Sequence, residues 1–312
     1  MREVILLTTS VGEAQRAQAA NDYRCVDGVV SNVRTDQDVI VWCRVGQGSR
    51  APMVSCPLSV RAVWRGAETY LIGRRALSVD EDSYLVINGG HEYSVVARRN
   101  DAVESLTIFF SNETRRAFAP KACEHEFFAE HLRPHDDLVT PCLRRLLDAR
   151  RCGNTDGDWY SEQIRNLYAN LVSADDELHR KSVAFAPASP PTRAELLRRV
   201  LTATDYVNSN YMGAVTLDDM ASAAHLSKYH LARLFRTLHG VSPAVYLRMK
   251  RIRAAERLIE RSNADLTEIA ERSGFGSRWS MFRELRRRRG MSGQRIRESW
   301  MRSDLGAIST AP

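Results

Sequence analysis

The chain has 312 residues, 44% hydrophobic and 27% charged, with a formal net charge of +7. That length accommodates two domains with their own cores, and the composition excludes a disordered or fibrous chain. No apolar run reaches the roughly 20 residues of a membrane helix. The apolar stretch Val4–Leu7 is too short, and has the wrong flank, for a secretory signal, so a cytoplasmic setting is expected.

From about residue 22 the sequence reads as short strands. Residues 38–45, 58–64, 69–72, 84–87, 93–96 and 103–110 are rich in β-branched and aromatic side chains. Turn signals at 46–48, 80–82, 88–90 and 99–101 separate them, which predicts a small antiparallel barrel or sandwich over 1–118.

Between 119 and 183 the period becomes helical. Leu138, Cys142, Leu143, Leu146 and Leu147 form one stripe, and Ile164, Leu167, Tyr168, Leu171 and Val172 another. Packing on the β domain and a dimer seam are both open at this point. Residues 184–191, with three prolines, have linker composition and place a domain boundary there.

The cysteines, Cys25, Cys43, Cys56, Cys123, Cys142 and Cys152, show no CxxC pair. Neither a disulfide framework nor a zinc site is expected, and they read as small hydrophobes. Cys123, His125, His131 and His135, with Glu124 and Glu126, are a denser group whose spacing fits no standard metal site; a surface helix is the expectation.

Charge is unevenly placed. Residues 191–303 carry 22 Lys and Arg against 11 Asp and Glu, a net of +11, which leaves −4 elsewhere. A positive field confined to the C-terminal part points to phosphates there.

That part holds two helix-turn-helix patterns, 216–235 and 266–285, after a helix expected over about 192–210. In the first, Thr216 and Asp219 form a capping-box-like start, and Ser227 caps a second helix. Leu231, Leu234 and Phe235 are expected in the core, with Ser227, Lys228, Tyr229, Ala232, Arg233 and Arg236 toward DNA. Gly240, Ser242 and Pro243 are a stop–start signal for a helix to about Glu260, roughly 27 Å long, as a beam between the two motifs.

The second motif repeats the pattern: Asp265 starts the scaffold helix, Gly274–Gly276 turns, and Ser277 caps the recognition helix. Met281 and Leu285 are expected inside, and Arg278, Trp279, Ser280, Phe282 and Arg283 outside. Arg286, Arg287, Arg288 and Arg289 then suit both the helix dipole and phosphate.

With Leu217, Ala221, Leu226, Ser227, Leu231, Arg233, Phe235, Gly240, Val241, Ser242, Pro243, Arg251, Ala255, Ile269, Ala270, Gly274 and Phe275 in order, residues 193–299 resemble the DNA-binding domain of the AraC/XylS transcription regulators. Departures cluster in the second motif, at Trp279–Met281, Leu285 and Gly290–Gly293.

The resemblance implies base contacts by Tyr229, Ala232 and Arg233 from the first helix, and by Arg278, Trp279, Ser280, Phe282 and Arg283 from the second. Ser227, Lys228, Arg236 and Arg286–Arg289 are expected on phosphates. Arg233 and Arg283 have the fork that matches guanine. Given its departures, the second helix is expected to serve more as an anchor than as a reader.

In many members of the family a cupin-like barrel precedes the DNA-binding domain, and residues 75–94 resemble a hairpin of such barrels. His91 stands alone where a metal-binding cupin has more histidines, so neither metal nor cofactor is expected, and His91 reads as a turn or pocket-rim residue.

The expected fold is thus multidomain: a mainly-β, cupin-like N-terminal barrel with helices, and an all-α C-terminal domain at 192–303 before a disordered tail. The expected function is sequence-specific, non-enzymatic transcription regulation, as an activator on double-stranded DNA. The expected partners are RNA polymerase, an unknown small-molecule or protein effector, and a second copy in a homodimer, at the nucleoid. A low-specificity architectural DNA binder, a cupin-type enzyme with an accessory DNA-binding domain and an Ada-like repair protein are the rivals.

Overall fold

The computed structural model describes residues 3–8, 24–26, 29–31, 37–45, 54–55, 57–97, 102–118, 128–153, 156–185, 189–262 and 264–290. The chain forms two compact units, Met1–Asp205 and Tyr206–Pro312.

Among the described residues of the first unit, the strands in chain order are β1 (Glu3–Thr8), β2 (Arg24–Val26), β3 (Val29–Ser31), β4 (Val39–Val45), β5 (Val54–Ser55), β6 (Ser59–Arg65), β7 (Ala67–Ile72), β8 (Arg75–Asp80), β9 (Ser83–Ile87), β10 (Glu92–Ala97), β11 (Val103–Phe109) and β12 (Leu132–Pro134). They build a six-stranded sheet ordered β1-β4-β11-β6-β9-β12, a four-stranded sheet ordered β5-β10-β7-β8, and the β2-β3 pair. The pairings are antiparallel; Leu106 lies opposite both Trp42 and Ala62. The described strands make these two larger sheets and the β2-β3 pair, with no closed barrel among the described residues.

Both faces of the six-stranded sheet are buried, and side-chain alternation sorts them. Val39, Val41, Val63, Leu85, Ile87 and Phe109 turn toward Tyr70, Leu77 and Tyr93 of the four-stranded sheet. Ile40, Trp42, Val60, Val86, Leu106 and Ile108 turn the other way. There they meet α2 (Val139–Arg151) and α3 (Gly157–Ser182), which follow the short α1 (Asn112–Ala117). The two helical stripes therefore pack on the sheet of their own unit. Cys142, Leu143, Leu146, Ile164, Leu167 and Leu171 are fully buried, whereas Leu138 precedes the first residue of α2 and is 45% exposed.

The core between the sheets has a polar centre. Arg61 is buried among the rings of Tyr70, Tyr93 and Phe109 and donates to Thr107 Oγ1 (3.0 Å) and to the Tyr93 hydroxyl. Glu68 accepts from Tyr70 (2.6 Å) and Ser105 (2.9 Å). Burial pushes the Glu68 carboxyl up, against those hydrogen bonds and the charge of Arg61. A buried polar set is tolerable because its members are hydrogen-bonded.

Residues 128–138 are not a surface helix. Leu132–Pro134 is a strand, His131 is buried, and His135 stacks against Trp64 and Tyr84. Cys123–Glu126 lie outside the described residues. His91 is half-exposed and bound to Glu130 at 2.9 Å, which also accepts from the Asn88 amide. Among the described residues no group of three or more His, Cys, Asp or Glu is placed to hold a metal ion. No described helix is long and apolar enough to cross a membrane. Cys43 and Cys142 are buried and Cys152 is exposed.

The units divide inside a helix, α4 (Pro190–Asn210). Asp205 explains why its N-terminal part belongs to the first unit: it accepts from the Leu132 amide (2.7 Å) and pairs with Arg75 (2.8 Å).

Candidate DNA interface

The second unit adds α5 (Leu217–Ala223), α6 (Lys228–His239), α7 (Pro243–Arg261), α8 (Leu266–Arg272) and α9 (Arg278–Arg289). Local signals set each boundary. Thr216 and Asp219 form a reciprocal capping box on α5 (3.1 and 2.8 Å), which satisfies two otherwise orphaned amides. Ser227, Ser242, Asp265 and Ser277 cap α6, α7, α8 and α9. Gly240 and Gly290 end α6 and α9 in the left-handed conformation.

The turns joining α5 to α6 and α8 to α9 are built alike. Leu226 N donates to Ala221 O (3.0 Å), and Phe275 N to Ala270 O (2.8 Å). Each turn passes through one left-handed residue, His225 (φ 52°) in the first and Gly274 (φ 81°) in the second. At Gly274 a Cβ would stand 2.2 Å from the Tyr211 carbonyl oxygen, so no side chain fits. Arg251, from α7, fixes the same segment by donating to Tyr211 O (2.8 Å) and Gly213 O (2.7 Å).

In α6, Leu231, Leu234, Phe235 and Leu238 are buried, as the 3.6-residue period requires. On the open side, Tyr229 is 86% exposed and Arg233 and Arg236 are exposed. Ala232 is half-buried. Lys228 is exposed but already paired with Asp218 of α5 at 3.0 Å.

In α9, Met281 and Leu285 are fully buried against Ile252, Ala255, Ile269 and Phe275, so α7, α8 and α9 share one core. Such burial contributes about 1.5–3 kcal/mol per large side chain. Arg278, Trp279 and Arg283 are exposed, with Trp279 at 69%. Ser280 is half-buried, and its hydroxyl donates to Ser277 O at 2.8 Å. Phe282 does not face fully outward; it packs partly against the shared core.

Two stacked pairs run along this helix. The Arg278 guanidinium lies 5.1 Å from the Phe282 ring centroid, and that of Arg283 lies 4.9 Å from Trp279. Their i, i+4 spacing in the sequence was the signal that could have found them. Arg286, Arg287 and Arg288 are exposed at the helix end; the Arg289 side chain lies outside the described residues. A cavity of about 250 Å³ opens beside α9, lined among others by Leu247, Arg248, Arg251, Phe275 and Arg283.

Two short helix–turn–helix units with capped, basic second helices are what major-groove reading requires. A family model described as a helix-turn-helix domain matches residues 220–299. The chain is 25% identical over 232 residues to the probable transcriptional regulator LumQ of Photobacterium leiognathi, covering 71% of this chain and 84% of LumQ. It is 25% identical over 95 residues to the bifunctional transcriptional activator/DNA repair enzyme AdaA of Bacillus subtilis, covering 30% of this chain and 45% of AdaA. Among solved structures, the DNA-binding domain of AdpA in complex with a target DNA is 26% identical, with a TM-score of 0.32, covering 33% of this chain and 92% of that one. The C-terminal domain of this chain is an AraC-type helix-turn-helix domain, the DNA-binding module of a sequence-specific transcription regulator.

Proposed function

We propose that the protein is a non-enzymatic activator of transcription whose α6 and α9 enter adjacent major grooves of double-stranded DNA. One observation carries this reading. Both helices are capped, buried along one side, and expose Tyr229 and Arg233 on α6 and Trp279 and Arg283 on α9. Between them α7 has 19 residues, about 28 Å at 1.5 Å per residue, comparable with one turn of DNA.

On this reading Tyr229, Ala232 and Arg233, with Arg278, Ser280 and Arg283, meet base edges, with Trp279 beneath Arg283 and Phe282 beneath Arg278. Ser227, Lys228, Arg236 and Arg286–Arg289 hold phosphates. Lys228 must exchange its bond to Asp218 for phosphate, and Ser280 contributes only if its hydroxyl turns from Ser277 O.

The N-terminal unit is the regulatory part: a cupin-like pair of sheets that takes a small-molecule or protein effector and supports a homodimer. The protein then works in the cytoplasm, at the nucleoid, with RNA polymerase as its partner.

Gel-shift titration of the full chain against promoter fragments and random duplexes tests the reading. Specific regulators prefer their sites by about 10³-fold or more. Equal affinity for all duplexes would make the protein an architectural binder.

A further inference from the structure

We propose that α9 is a base-reading helix in which Trp279 is a positioning residue, holding the Arg283 guanidinium for a guanine in the second half-site. The inference rests on the reading of α9 as a recognition helix and assigns what it recognises. The Arg283 guanidinium lies over the indole at 4.9 Å, and among the described residues it makes no hydrogen bond or ion pair. Glu284, the carboxylate on α9, lies near Arg248 (3.7 Å) and Arg287 (3.6 Å) instead. Stacking engages the flat face of a guanidinium and leaves its N–H edge for a planar acceptor pair.

In the major groove that acceptor pair is guanine O6 and N7, the commonest target of a bidentate arginine. A phosphate contact needs no ring beneath it, and among the described residues no such ring lies under the exposed Arg286 and Arg288 of the same helix. A free arginine loses rotamer freedom on binding, whereas one braced in advance loses less. The indole is itself 69% exposed, so it is not there to fill the core. Arg278 over the core-anchored Phe282 repeats the device one residue earlier on the helix.

The test is selection of binding sites from randomised duplex DNA by the full chain, followed by titration against sites with each base substituted. The wild type is expected to select a guanine in the second half-site. Arg283→Ala should reduce the preference for that guanine about tenfold or more, at that position alone. Trp279→Ala should reduce it about two- to fivefold at the same position, the worth of an exposed stacked pair. Trp279→Phe should keep most of it, and the double variant should match Arg283→Ala, because the pair acts as one unit. Helical content and melting temperature should be unchanged in all variants.

A uniform loss on every sequence in Trp279→Ala, or full additivity in the double variant, would overturn the inference. A selected site without a guanine sensitive to Arg283 would overturn it too, while leaving the regulator reading in place. Selection of no sequence at all would remove both.

Discussion

Gly274 and Tyr211 approach so closely that a Cβ on the glycine would lie 2.2 Å from the tyrosine carbonyl oxygen. Tyr211 ends the segment that leads into the first helix-turn-helix, and Gly274 makes the turn of the second. Arg251 binds the same carbonyl at 2.8 Å. This contact ties the two motifs together within the C-terminal unit. Gly274→Ala combines a left-handed backbone with that clash, and should cost at least about 2 kcal/mol. Thermal unfolding checks it; an unchanged melting temperature would show that the turn relaxes freely.

Arg233 is exposed on α6, and among the described residues its guanidinium makes no hydrogen bond or ion pair. Arg233→Ala should cost about 1–3 kcal/mol on the cognate site and relax the preference at one base pair. Equal loss on all sequences, measured by titration, would make it a phosphate contact. Removing Arg287 and Arg288 together should instead flatten the salt dependence of binding, by about 0.9 in log–log slope per lost contact.

Asp205 is buried, and burial pushes its carboxyl from 3.8 up to about 6, against the charge of Arg75 and the hydrogen bonds from Leu132 and Arg75. The folded chain then keeps a proton that the unfolded chain releases. Stability contributed by this group is present below pH 3.8, declines as pH rises to about 6, and is flat above, a change of about 3 kcal/mol. Denaturant titrations at pH 4 and 7 should show this decline in the wild type and much less of it in Asp205→Asn. Parallel curves would contradict it.

Asp175 behaves in the opposite sense. Burial pushes its carboxyl up, but hydrogen bonds from His179 and Arg133, with the Arg133 charge, outweigh it and hold it at about 2. Its contribution is present above pH 3.8 and is lost as pH falls through about 2. Asp175→Ala leaves the buried Arg133 without this carboxylate and should cost about 3–5 kcal/mol at pH 7. Loss of under about 1 kcal/mol in denaturant titration would mean that water replaces it.

The C-terminal elements were legible because their boundaries are written locally. Thr216, Ser227, Ser242 with Pro243, Asp265 and Ser277 are starts, and Gly240 and Gly274 are stops or turns; each acts within four residues of where it stands. The buried positions Leu231, Phe235, Met281 and Leu285 followed from helical period. What the sequence hid depends on distant partners. Arg61 reads as an interruption in an apolar strand until Thr107 and Tyr93 are brought beside it. The division inside α4 follows from Asp205 meeting residues 73 and 130 positions away, which no composition shift marks. Likewise β1 reads as an apolar patch in sequence, and only its pairing with β4 makes it a strand. The stacking of Trp279 and Arg283 is written at i, i+4, but which ring meets which guanidinium shows only once the helix is formed.

One chain is expected to read two successive major-groove faces. Footprinting of the full chain on a selected site tests it most directly. Two protected segments about 10 base pairs apart are expected, the first weakened at one base by Arg233→Ala and the second by Arg283→Ala. A single protected segment, or one indifferent to Arg283, would contradict it.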